Sequence, residues 1–191
     1  MSEAAHRPHY TFEEYLRLEE MSNVRHEYAD GEIWAMAGGS LEHGRICANL
    51  ITLLSSQLAE RRCEVFTSDV RVRVRASGLD TYPDVSVVCG RIERDDLDSQ
   101  ALANPVVLVE VTSPGTDAYD RGAKLEHYKR IPSLREVLVV SHAEPRADVW
   151  SRQEDGSWTT QSADRGGLVR LVSIDCELPV ESIYRDRLAA S

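Results

Sequence analysis

Long apolar runs are missing from this chain. No window nears the roughly 18 consecutive apolar residues that a membrane span requires, so a transmembrane protein is not expected. The opening stretch "MSEAAHRPHYTFEEY" has no basic segment followed by an apolar one, which argues against an export signal and for a cytoplasmic protein. Cysteine is sparse: Cys47, Cys63, Cys89 and Cys176 are scattered, with no C-x-x-C pair. Neither a metal cluster nor a disulfide framework is therefore expected, and all four read as small buried hydrophobes. Basic residues fall short of acidic ones, 22 against 32, for a formal net charge of −10. That balance argues against tight non-specific DNA binding through a broadly basic surface. A local basic patch or a bound cation could still face a phosphate backbone. Repeats, low-complexity runs and linkers are absent too, so the 191 residues are expected to form one domain. Its core is placed at about 10–141, with a C-terminal hairpin and short helix over 142–191.

What is present alternates between helical and strand periods. Thr11-x-x-Glu14 is a capping box that opens a helix to about Glu20. In "RHEYADGEIWAMA", Asp30-Gly31 is a type I′ turn signal between two short strands. Ser40 suits the N-cap of a long amphipathic helix, since Ile46, Leu50, Leu53, Leu54 and Leu58 recur at helical spacing to about Arg61. "CEVFTSDVRVRVR" reads as a half-buried strand whose Arg71, Arg73 and Arg75 form one basic face. "DVSVVCG", "PVVLVEV" and "EVLVVS" are rich in β-branched residues, and the last two read as strands covered on both sides. A helix is predicted from about Asp117 to Arg130, stopped by Pro132. A hairpin around Asp155-Gly156, a strand in "LVRLVSI" and a short helix in "LPVESIY" close the chain. The pattern predicts an α/β fold with a mixed β-sheet core flanked by helices and extra β-hairpins.

Chemistry concentrates where charge interrupts these strands. Asp84 follows Pro83 at the start of "DVSVV", and Glu110 nearly ends "PVVLVEV". A carboxylate at such a place is costly unless it is paired or coordinates a cation. Strand alternation puts Glu110 on one face with Val106 and Leu108, and Val107, Val109 and Val111 on the other. On the next helix Asp120, Lys124 and Tyr128 are four apart and share a face. Two acids and a lysine at one strand edge are the apparatus of metal-assisted phosphodiester hydrolysis. The acids suit Mg²⁺ or Mn²⁺, and the lysine suits the attacking water or the developing phosphate charge.

These residues carry a resemblance. "PD…EVT" followed by a helix-borne lysine resembles the PD-(D/E)XK nuclease superfamily. The string "HEYADGEIWAMAGGSLEHGRI … YPDVSVV … NPVVLVEVTSPGTDAYDRGAKLEHYKRI" resembles the Uma two family of bacterial restriction-endonuclease-like proteins, over about Tyr10 to Ser141. The resemblance implies a restriction-endonuclease-like fold with a four-stranded mixed core sheet, and a Mg²⁺- or Mn²⁺-dependent endonuclease site. Carried over, Asp84 and Glu110 would be metal ligands beside the Val111 carbonyl, with Glu27 as an additional acid. The superfamily lysine two positions after Glu110 is here Thr112, so the role passes to Lys124. His43, Asp120 and Tyr128 are candidate supporting residues, and Arg71, Arg73 and Arg75 candidate nucleic-acid contacts. DNA is the expected substrate, and a homodimer the expected assembly, since nucleases of this type address two strands.

Blander roles stay open for several of these residues. Asp84 could be a turn residue, Glu110 an arginine partner, Glu27 a solvated acid, and Asp120–Lys124 a surface pair. A fold that has lost catalysis and serves as a binding or regulatory homodimer is the alternative function. A structural oligomer and a hydrolase of small phosphoesters also remain open.

Overall fold

The computed structural model describes residues 9–36 and 38–188; the reading of the first residues as carrying no export signal rests largely on positions outside these. Among the described residues, twelve strands and three principal helices build around one six-stranded sheet. The first helix, α1 (Phe12–Met21), starts at the expected capping box, with Thr11 and Glu14 satisfying each other's backbone amides. The hairpin β1 (His26–Ala29) and β2 (Glu32–Ala35) turns through Asp30 and Gly31, whose φ values of 49° and 81° suit a type I′ turn. Helix α2 (Leu41–Leu58) is capped by Ser40 and buries Ile46, Leu50, Leu54 and Leu58. Each such burial stabilises the fold by about 1.5–3 kcal/mol.

The expected single strand over residues 63–75 is in fact two. Strand β3 (Cys63–Thr67) ends where the Thr67 hydroxyl engages Asp69 and the Val70 amide returns to the Thr67 carbonyl. Thr-Ser-Asp is turn chemistry, and it overrides the Val alternation on either side. Strand β4 (Val72–Val74) then joins β5 (Leu79–Thr81), β1 and β2 in a separate four-stranded sheet of order β2-β1-β5-β4.

The main sheet has the order β10-β9-β8-β7-β6-β3, larger than the four strands the resemblance implied. Its members after β3 are β6 (Val85–Cys89), β7 (Val107–Val111), β8 (Glu136–Val140), β9 (Arg146–Arg152) and β10 (Trp158–Asp164). The pair β7–β8 is parallel and the other pairings are antiparallel, so the sheet is mixed. The parallel pair requires a crossover. Helix α3 (117–128) makes it, as Asp117–Tyr119, a π-helical turn Asp120–Lys124, and Leu125–Tyr128. The chain closes with the pair β11 (Leu168–Leu171) and β12 (Cys176–Pro179) and a helical turn Val180–Ile183.

Two cores flank the main sheet. Val107, Val109 and Val111 meet α2 on one face, while Leu108 meets Leu125, Tyr128 and the small sheet on the other. This is the alternation predicted for β7. One cysteine expectation fails: Cys63 and Cys89 are direct partners in the β3–β6 register and form a disulfide. They stand 26 residues apart in sequence, so no spacing motif could reveal that they are neighbours. Cys47 is half-buried and Cys176 buried, both as free thiols.

Candidate active site

Strand β7 delivers Glu110 to the face covered by α3. There Lys124 Nζ lies 3.0 Å from Glu110 Oε1, 3.1 Å from Glu27 Oε1 and 3.9 Å from Asp120 Oδ1. The Tyr128 hydroxyl donates to Glu110, and the Thr81 hydroxyl donates to Glu27. Glu110, Lys124 and Glu27 are only 4%, 5% and 6% exposed. Neither Arg71 nor Arg73 pairs with Glu110, and Glu27 is not a solvated acid. The Asp120–Lys124 pair belongs to this interior cluster rather than to a surface. The π-helical turn carries both of its members, an insertion found often at functional sites.

Asp84 enters from the segment ahead of β6, the antiparallel neighbour of β7. Its Oδ2 accepts the Val111 amide at 2.7 Å, and its Oδ1 is 3.3 Å from His43 Nε2. His43 sits in the first turn of α2, its amide held at 3.2 Å by the Ser40 cap. Glu27, His43, Asp84, Glu110, Asp120 and Lys124 all line one cleft of about 360 Å³, together with Trp34 and Tyr119.

Charge in this cleft is unbalanced. Four acids (Glu27, Asp84, Glu110 and Asp120) face one ammonium and one imidazole. Burial pushes the Glu110 carboxyl up to about 8, against the opposing pull of Lys124. Burial also raises Asp120. Burial opposes the charge on Lys124, but Glu110, Tyr128, Glu27 and Asp120 outweigh it and hold it as an ammonium well above the usual lysine range. A lysine so held can orient and neutralise, but it cannot accept a proton near neutral pH. His43 is raised by its contact with Asp84, opposed by burial and aided by the Val111 backbone. Asp84 and Glu110 would offer carboxylate oxygens to a hard divalent cation, and acids outnumber bases along the cleft.

Elsewhere the sequence reading needs correction. Arg71, Arg73 and Arg75 form no free basic face. Arg71 Nε is 2.7 Å from Asp98 and 3.8 Å from Asp80, and Arg73 lies 3.9 Å from Asp80 and over the Phe12 ring. Arg75 is half-exposed but engages Asp95 at 2.6 Å. Thr112, where the superfamily lysine would stand, is fully buried, with its hydroxyl 3.4 Å from His142 Nδ1. One neighbour of the site went unnoticed in the sequence. Cys47 Sγ is 3.6 Å from His43 Nδ1, and the His-x-x-x-Cys spacing on a predicted helix was the available signal. Burial, with Asp84 and Glu110 nearby, pushes that thiol up.

The fold, a mixed sheet with a crossover helix, is shared with a solved structure. A crystal structure of a "putative nuclease" from Anabaena variabilis matches with a TM-score of 0.74 at 21% identity, covering 91% of this chain and 97% of that one. Two uncharacterized Synechocystis proteins are similar in sequence. One, slr1290, is 38% identical over 95% of this chain and 97% of its own length. The other, sll1609, is 33% identical over 78% and 84%. The model of the Uma2 (Uma two) family, described as "Putative restriction endonuclease", matches residues 12–181, and the chain belongs to that family. Among the described residues no helix is long and apolar enough to cross a membrane.

Proposed function

We propose that the protein is a divalent-metal-dependent endonuclease that hydrolyses phosphodiester bonds, with DNA as the leading substrate. The observation that carries this reading is Lys124, buried and shared between Glu110 and Glu27 in a cleft that Asp84 also lines. Asp84 and Glu110, with the Val111 carbonyl, would hold Mg²⁺ or Mn²⁺. Such a cation, when bound, offsets negative charge on the phosphoryl group and orients the substrate. Lys124 acts through its fixed positive charge, orienting the attacking water and stabilising charge that develops on the phosphate. Glu27 shares the ammonium with Glu110. Tyr128 fixes the Glu110 rotamer, and His43 fixes Asp84.

A second reading is favoured by the internal pairing of Arg71 and Arg73 and by the net charge of −10, which supply no broad phosphate-binding face. In it, the fold binds a partner as a regulatory homodimer without catalysis. Calorimetric titration of Mn²⁺ into the wild type, Asp84→Asn and Glu110→Gln tests the metal site without needing the substrate. Saturable binding that weakens by on the order of 100-fold in each folded variant supports the first reading. A nuclease screen with Lys124→Ala as control then follows. Absence of binding, or binding indifferent to both changes, removes the first reading in favour of the second. Sedimentation reports in parallel whether the chain is a dimer.

A further inference from the structure

Beside the acid–lysine cleft lies a donor set of different chemistry. His43, Cys47 and Asp84 each offer one ligand atom, and the three atoms lie within 4.8 Å of one another. The short contacts use different ring nitrogens, with Cys47 Sγ 3.6 Å from His43 Nδ1 and Asp84 Oδ1 3.3 Å from His43 Nε2. An ion bound through one imidazole nitrogen therefore keeps one short separation and reaches the third ligand over a wider one. A tetrahedral ion with bonds of about 2.0–2.3 Å to nitrogen, oxygen and sulfur needs ligand atoms roughly 3.5 Å apart. We propose that His43, Cys47 and Asp84 form a second cation site, selective for a thiophilic ion of the zinc class, which shares Asp84 with the hard-cation site.

The ligand types decide the class of ion. Magnesium takes oxygen donors and avoids thiolate, whereas zinc accepts nitrogen, sulfur and oxygen together. The scaffold is also rigid enough to hold a site. His43 and Cys47 are one turn apart on α2, a helix anchored by the buried Ile46 and Leu50. Asp84 is fixed by the Val111 amide. All three residues are half-buried, so an ion can enter, and three protein ligands leave a fourth position open. On binding, the Cys47 thiol gives its proton to solvent as the sulfur–metal bond forms, and His43 coordinates as neutral imidazole. No electron is transferred.

The consequence is antagonism. One carboxylate cannot satisfy two cations at full strength, so the soft ion withdraws Asp84 from the hard one. The antagonism rests on the metal-dependent reading above; the three-ligand site does not.

Cobalt(II) is the probe, because a cobalt–thiolate bond gives a near-ultraviolet charge-transfer band. The full chain is titrated with its Cys63–Cys89 disulfide intact and without thiol reductant. One equivalent should produce the band, and Zn²⁺ should displace it. Cys47→Ser should abolish it, His43→Asn should weaken binding at least about tenfold, and Cys176→Ser should leave it unchanged. Circular dichroism confirms folding, with Cys47→Ala as a second variant. The proposal is overturned by the lack of a band at saturation, or by a band that persists in both folded Cys47 variants. Mn²⁺ calorimetry on Cys47→Ser separates the two sites. A cobalt band in the wild type without any Mn²⁺ binding would sustain the soft site while the hard-cation reading falls. Zinc-loaded wild type should bind Mn²⁺ at least about tenfold more weakly, and equal binding overturns the antagonism.

Discussion

Two buried ionic clusters draw on the same small sheet, and they are built on opposite principles. One gathers Glu19, Asp80 and Asp98 around Arg71 and Arg73, with His26 2.7 Å from Glu19. Its acids and bases are nearly matched. The other sets Glu27, Asp84, Glu110 and Asp120 against Lys124 and His43, and it lines a cleft. Buried ion pairs recover their desolvation cost only when geometry and partners are complete. The matched cluster comes close to charge balance within the chain and reads as architecture. The acid-rich cluster is incomplete and calls for a ligand that brings positive charge. Burial of ions is common to both; the residual charge is what sets apart the cleft on which the proposed metal site draws.

The largest expected effect breaks this comparison at its centre. Lys124→Met removes the fixed cation from the three acids it pairs with, and unfolding free energy without metal should fall by about 3–5 kcal/mol. Arg71→Met should lose a similar amount, because Asp80 and Asp98 lose their nearest guanidinium. The variants should part when Mg²⁺ is added. In urea titrations the cation should restore part of the stability of Lys124→Met and leave Arg71→Met unimproved relative to wild type. Equal restoration in both would show that residual charge does not distinguish the clusters.

Much of this contrast was legible in the sequence, and the illegible parts share a cause. Strand and helix periods located β6, β7, β8 and α2, and the cost of a carboxylate in a valine-rich strand singled out Glu110. Those signals are local, and burial acts on them directly. The fates of Arg71 and Arg73 were not legible, because their partners Asp80 and Asp98 come from other segments and the alternation in "VRVRVR" is equally that of a solvated face. The Cys63–Cys89 bond and the Cys47–His43–Asp84 set were missed for the same reason. Each depends on register between distant strands, or between a helix and a loop, which composition does not encode.

The matched cluster has a pH signature of its own. Asp80 is fully buried, and burial pushes its carboxyl up to about 7 despite Arg71 and Arg73; Oδ2 has no hydrogen-bond partner. The native state therefore keeps a proton that the unfolded chain gives up near pH 4. The contribution of Asp80 to stability is complete below that pH and is lost as pH rises from about 4 to about 7. Asp80→Asn cannot ionise, so its decline across this window should be shallower than that of the wild type in denaturant titrations from pH 4 to 8. Identical slopes would mean that the arginines keep Asp80 ionised throughout.

The smallest effect sharpens the other side of the comparison. Tyr128→Phe keeps the ring in the core formed with Leu108 and Leu125 and deletes the hydroxyl that donates to Glu110. Stability should fall by only about 1 kcal/mol, the usual net worth of one hydrogen bond. Mn²⁺ affinity should fall more clearly, by about tenfold, because a ligating carboxylate that loses its outer partner loses its orientation. A stability change without an affinity change would assign Tyr128 to packing. An affinity change larger than the stability change would place it in the metal site, where the acid-rich cluster has kept a neutral donor rather than a second cation.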